Sequence, residues 1–82
     1  MWVATRDYKI IGGALEALRK SAGVTQQELA KRLRKPQSFV SAYEGGRRRV
    51  DLLELVRITR ALNGDPYLIC RQILDQLIGG RR

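Results

Sequence analysis

The chain has 82 residues, with 16 lysines and arginines against 8 aspartates and glutamates, a formal net charge of +8. Such an excess points to nucleic acid, acidic protein or an anionic membrane as partner and says nothing about fold. The single cysteine, Cys70, excludes an internal disulfide framework and fits a reducing compartment. With no histidine beside it, no metal set, cofactor or usual general base is expected, and so no enzyme.

Five helical segments are predicted and no strand pattern survives. In the first, Tyr8, Ile11, Leu15, Leu18 and Ala22 recur at steps of three and four and share one face. Gly12 and Gly13 each cost up to ~1 kcal/mol relative to Ala, so fraying is expected before them. Gly23 closes the helix as a C-cap. The second starts from the capping box Thr25-x-x-Glu28, with Val24 placed to staple onto Leu29. Leu29, Ala30 and Leu33 form its buried side.

Only Arg34 and Lys35 separate it from the third helix, which begins with Pro36 at the first helical position, where the missing N–H is not needed. Val40 and Tyr43 are its core contacts, and Gly45 and Gly46 stop it. The fourth repeats the entry pattern, with Asp51 as cap, Glu54 three residues on, and Val50 facing Leu55. Leu52, Leu55, Val56, Thr59 and Leu62 are expected to point inward. The fifth takes Asp65 as cap and Pro66 as first residue and runs to about Ile78, before Gly79-Gly80 and the basic tail Arg81-Arg82. Short loops throughout make this a single all-α domain over 1–82. No run approaches the ~18 apolar residues of a membrane span, and the start lacks a signal peptide's apolar core, so a cytoplasmic protein is expected.

Two short helices joined by a tight turn have the geometry of a helix-turn-helix, here over about 25–45. "TQQELAKRL" followed by "PQSFVSAYEGGRRR" resembles the Cro/phage-repressor (XRE-type) helix-turn-helix family, over about Leu15 to Pro66. Thr25, Gln26, Glu28, Leu29, Ala30, Leu33, Ser38, Val40, Ser41, Tyr43 and Glu44 fall where the family pattern expects them, as do Gly46, Leu52, Leu55, Ala61 and Leu62. One departure stands out: the family's turn glycine is replaced by Arg34, and Lys35 takes a position where an apolar residue is common.

The resemblance implies a compact five-helix bundle of the phage-repressor type, bacterial or phage-derived and nucleoid-associated. Its third helix would lie in the DNA major groove and its second across the backbone. It implies base reading from Gln37, Ser38, Ser41 and Ala42, whose chemistry suits base edges: Gln pairs with adenine, Ser donates or accepts, Ala touches a thymine methyl. The plainer reading is that they are solvated polar residues. It also implies that Gln26 offers its amide and backbone N–H to a phosphate. Arg34, Lys35, Arg47, Arg48 and Arg49 bracket the reading helix as further phosphate contacts. Between Lys31 and Arg49 there are seven cations and one anion. That anion, Glu44, is implied to form a partly buried ion pair with Arg19. Phe39 is read as packing under the reading helix in preference to touching DNA.

The fifth helix is apolar over about half its circumference, wider than the ~100° stripe a core needs. Tyr67, Ile69, Cys70, Ile73, Leu74 and Leu77 are therefore expected to form a two-fold homodimer surface over about 66–78, unless the first helix or Trp2 covers them. The expected function is a sequence-specific double-stranded-DNA-binding transcriptional regulator, a repressor more readily than an activator. The rival readings are an antitoxin or adaptor that binds a protein partner, and a nonspecific architectural DNA binder.

Overall fold

In the computed structural model, which describes residues 5–79, the chain forms five helices: α1 (Thr5–Ser21), α2 (Gln26–Leu33), α3 (Gln37–Glu44), α4 (Leu52–Ala61) and α5 (Pro66–Leu77). There is no strand among the described residues. Helix α1 packs on α3 and α5, α2 packs on α3 and α4, and α4 closes on α5. Leu15, Leu29, Val40, Tyr43 and Ile58, one or more from each of the first four helices, are buried at the centre, and Ile69 and Ile73 of α5 complete the core. Burying a side chain of this size is worth about 1.5–3 kcal/mol. No helix among the described residues is long and apolar enough to cross a membrane.

The entry signals form as read. The Thr25 hydroxyl accepts from the Glu28 N–H at 3.1 Å while the Glu28 carboxylate accepts from the Thr25 N–H at 2.8 Å. Asp51 and Glu54 make the same reciprocal pair at 2.7 and 3.1 Å. Two orphan N–H groups are satisfied at each helix start.

The helix ends share one device. After each of α1 to α4 a residue takes positive φ: Gly23, Arg34, Gly46 and Asn63. The next N–H then reaches back five residues, as from Lys35 to the Ala30 carbonyl at 3.0 Å. This is the Schellman closure, which supplies partners to the last carbonyls. Arg34, at φ 58 and ψ 44, adopts the left-handed conformation without glycine's freedom.

Several expectations are corrected. Pro36 is the residue before α3, not its first: its φ of −69 and ψ of 156 are extended, and α3 starts at Gln37. Helix α1 runs without a break through Gly12 and Gly13. Gly12 is buried because α1 and α3 cross there, and a methyl group on it would collide with the Tyr43 carbonyl oxygen. The Gly13 side is open. Ala22 lies exposed in the turn after α1.

On α4 the inward stripe is Leu55, Ile58, Thr59 and Leu62, whereas Leu52 is 72% exposed. The capping box places Leu52 at the first helical position, on the outer side of Leu55. Ile69 and Ile73 are only 4% and 5% exposed, so they belong to the chain's own core and not to a surface. They lie four apart on the side of α5 that meets α1 and α4. Trp2, Gly80 and Arg81-Arg82 lie outside the described residues.

The two glycines of α1 should respond oppositely to alanine. Gly12→Ala should destabilise by about 1–3 kcal/mol in urea unfolding, because the crossing cannot take the methyl. Gly13→Ala should stabilise by up to ~1 kcal/mol through helix propensity alone. Equal effects would mean that the backbones are not in contact at Gly12.

Candidate nucleic-acid interface

Helix α3 is short and two-sided. Val40 and Tyr43 are fully buried and Glu44 nearly so, while Gln37 and Ser38 are exposed and Ser41 and Ala42 half-buried on the opposite face. The turn before it is held by the Arg34 closure. The carbonyl of Pro36 accepts the Phe39 N–H at 3.0 Å, which starts the helix without a side-chain cap.

Behind the outward face lies a chain of hydrogen bonds. Arg19 donates from Nε and Nη2 to the two Glu44 carboxylate oxygens at 2.7 and 3.0 Å, and from Nη1 to the Val24 carbonyl at 2.8 Å. Both partners of this ion pair are under a tenth exposed. The hydrogen bond to Glu44 raises the Arg19 pKa above its ordinary value, against an opposing effect of burial. Glu44 Oε1 also accepts from Gln26 Nε2 at 2.9 Å. Gln26 Oε1 in turn accepts from Gln37 Nε2 at 3.2 Å. The ion pair expected between α1 and α3 is thus the root of a network that ends on the outward face of α3 at Gln37. Losing one member of a buried pair typically costs about 3–5 kcal/mol. Gln26, assigned to phosphate, spends one amide hydrogen on Glu44 and its oxygen on Gln37. One amide hydrogen remains, together with its backbone N–H in the first turn of α2.

Phe39 packs edge-on against Tyr43, with ring centroids 5.5 Å apart and an interplanar angle of 73°. Two cations cover its ring, Lys35 Nζ at 5.3 Å and Arg48 Cζ at 4.6 Å from the centroid. Phe39 therefore packs, and it gathers positive charge beside α3. The Tyr43 hydroxyl is buried with no hydrogen-bond partner among the described residues, and burial pushes the phenol well above its usual range.

The basic residues divide into two sets. Arg34, Lys35, Arg47 and Arg49 are exposed, and no ion pair engages them among the described residues. Arg47 makes one long contact, 3.4 Å, to the Ser41 hydroxyl. Arg48, expected among the phosphate contacts, already has partners within the chain. It donates to both oxygens of Glu54 at 3.1 and 3.0 Å and to the Arg49 carbonyl at 2.7 Å. The Arg48 hydrogen bond holds the Glu54 carboxyl below its ordinary range. Arg48 closes the α3–α4 loop onto the start of α4, so its charge is already matched. Sequence reading missed this clasp: Arg48 and Glu54 are six apart across an irregular loop, a spacing that carries no periodic signal.

Comparison with known proteins agrees with this geometry. A helix-turn-helix family model matches residues 15–69. Among solved structures, an XRE-family-like protein from Pseudomonas syringae pv. tomato str. DC3000 is 38% identical, with 87% of each chain covered and a TM-score of 0.77. The clp gene regulator ClgR of Corynebacterium glutamicum is 27% identical over 87% of this chain and 76% of that one, with a TM-score of 0.79. The restriction-modification controller protein C.AhdI of Aeromonas hydrophila is 30% identical over 78% of this chain and 97% of that one, with a TM-score of 0.72. No curated protein matches. From the capped turn, the outward polar face of α3 and these matches together, the chain belongs to the XRE-type helix-turn-helix family of DNA-binding transcriptional regulators.

Proposed function

We propose that this regulator is a sequence-specific repressor that binds double-stranded DNA as a homodimer and acts by occupying promoter sites. Helix α3 enters the major groove and reads bases through Gln37, Ser38, Ser41 and Ala42. The observation that carries this reading is the uncovered polar face of α3, with the Gln37 amide already held by Gln26. Fixing a side chain before binding lowers the ordering cost of the contact. The phosphate contacts are Arg34, Lys35, Arg47 and Arg49, with Gln26 adding N–H groups at the start of α2. Arg48 is left out of this set because Glu54 occupies it.

The dimer surface is the apolar groove between α4 and α5, lined by Leu52, Val56, Tyr67, Cys70 and Leu74. Tyr67 is 87% and Leu74 52% exposed, more apolar surface than a monomer has use for. Arg71 and Asp75 stand on its rim, four apart on one helix, so a two-fold axis can bring each against its opposite in the second copy. Leu77 packs at the edge of the chain's own core and adds little to this face.

A second reading, an adaptor or antitoxin that binds another protein, is favoured by one observation. Leu53 and Leu68 are also exposed, and they lie outside the groove. A one-to-one heteromer with loss of self-association would favour it. The nonspecific architectural reading predicts that selection from random duplexes yields no motif.

Gln37→Ala should relax base preference at one position of the selected site, at a cost of about 1–3 kcal/mol on the preferred duplex. An equal loss on every duplex would remove Gln37 from the reading face. Arg49→Ala should weaken all duplexes alike and flatten the salt dependence of log K by about one. Arg48→Ala should leave that slope unchanged and instead lower the melting temperature; a flattened slope would show that DNA takes Arg48 from Glu54. Leu74→Glu should convert a dimer to a monomer in sedimentation equilibrium. A protein that sediments as a monomer before the change excludes the groove as a self-contact.

A further inference from the structure

Of the four cations assigned above to phosphate, Lys35 is the one that rests on an aromatic ring among the described residues: its Nζ stands 5.3 Å from the Phe39 centroid. It takes a position where the family commonly has an apolar residue. Its backbone is fixed on both sides, because the Lys35 N–H donates to the Ala30 carbonyl at 3.0 Å and the extended Pro36 follows. Its side chain lies exposed, an ammonium on a flexible four-carbon stem. The ring it rests on is held in place. Phe39 is half-buried and meets the Tyr43 ring edge-on at 5.5 Å. The Arg48 guanidinium, 4.6 Å from the same centroid, is itself fixed by both oxygens of Glu54.

An aromatic face attracts a cation within about 6 Å of its centroid, while two cations at one ring repel each other. Glu54 offsets that repulsion. Its carboxyl is held below the ordinary range chiefly by the Arg48 hydrogen bond, and the charge of Lys35 lowers it further. Arg48 is thereby matched, and Lys35 is left as the unmatched charge of the cluster. We infer that Phe39 is a positioning residue for DNA binding: its ring holds the Lys35 ammonium beside the start of α3, where a backbone phosphate passes when that helix enters the groove. A lysine ordered before binding loses less side-chain freedom on contact. The inference rests on Lys35 being a phosphate contact, as proposed above.

The test measures the affinity of the full chain for a duplex selected from random DNA, over a range of salt concentrations. Lys35→Gln should weaken binding and flatten the salt dependence of log K by about one. Phe39→Leu keeps an apolar side chain and removes the ring. It should weaken binding about two- to fivefold at fixed salt and leave the slope unchanged, since Lys35 is still there. Added to the Lys35→Gln chain, Phe39→Leu should cost nothing further. If Phe39 served only to seat α3, its loss would weaken binding equally with and without Lys35, and the inference would be overturned. A second measurement needs no variant. In the free protein the Phe39 ring current should shift the Lys35 ε-methylene protons upfield of those of the other lysines in the NMR spectrum; shifts equal to theirs would also overturn it. If Lys35→Gln leaves affinity and slope unchanged, the phosphate contact fails and the tether with it. If Lys35→Gln flattens the slope and Phe39→Leu adds its full cost on top, the contact stands and only the tether is refuted.

Discussion

The carboxylate of Glu44 is the point on which the rest of the molecule turns. It is the last residue of α3, it is buried, and it receives three hydrogen bonds from two other helices. Through Arg19 it fixes the end of α1 and, by the Val24 carbonyl, the loop that leads into α2. Through Gln26 it fixes the first residue of α2. A charge in such a place would be expensive alone, since desolvation costs several kcal/mol. Here three donors meet its two oxygens, so burial becomes a constraint on geometry in place of a loss. The angle between α2 and α3, the defining quantity of a helix-turn-helix, is held by polar contacts at one end and by Leu29, Val40 and Tyr43 at the other.

Positive charge is distributed by the same logic. The net charge of +8 is a property of the whole chain, but its cations are not equivalent. Arg19 is consumed inside the fold. Arg48 is consumed at the surface by Glu54 and by the face of Phe39. Arg32 donates to the Ala61 carbonyl at 2.8 Å and so covers the end of α4, where a cation also suits the helix dipole. What remains exposed near α3 is a smaller set than the composition suggests. Counting arginines in a sequence overstates the charge that a phosphate backbone would meet.

Most of the architecture was legible because it is written in local signals. Capping boxes at Thr25–Glu28 and Asp51–Glu54 announce their own helices, and Gly23 and Asn63 announce ends. The outward face of α3 followed from periodicity once its core residues were known. The illegible parts are those decided by tertiary contact. Gly12 reads as a weak point and is a crossing. Leu52 and Ile58 differ little in character, yet one is solvated and the other fully buried, because only the Ile58 side of α4 meets the rest of the core. Ile69 and Ile73 are indistinguishable from Leu74 by composition. Which of them faces inward depends on where α1 and α4 lie. The Arg48–Glu54 clasp joins two segments through a loop with no regular period.

The crossing at Gly12 has one further consequence. The backbone of α1 lies directly on the last turn of α3, with no side chain between them to act as a cushion. A helix packed through side chains can shift by swapping rotamers; one seated on bare backbone has no such play. A helix α3 docked in a DNA groove, as proposed above, would therefore move with α1 as one body. When the groove does not fit, the strain falls on the duplex, and stiff or pliable base steps at places the protein never touches would then weigh in the choice of site.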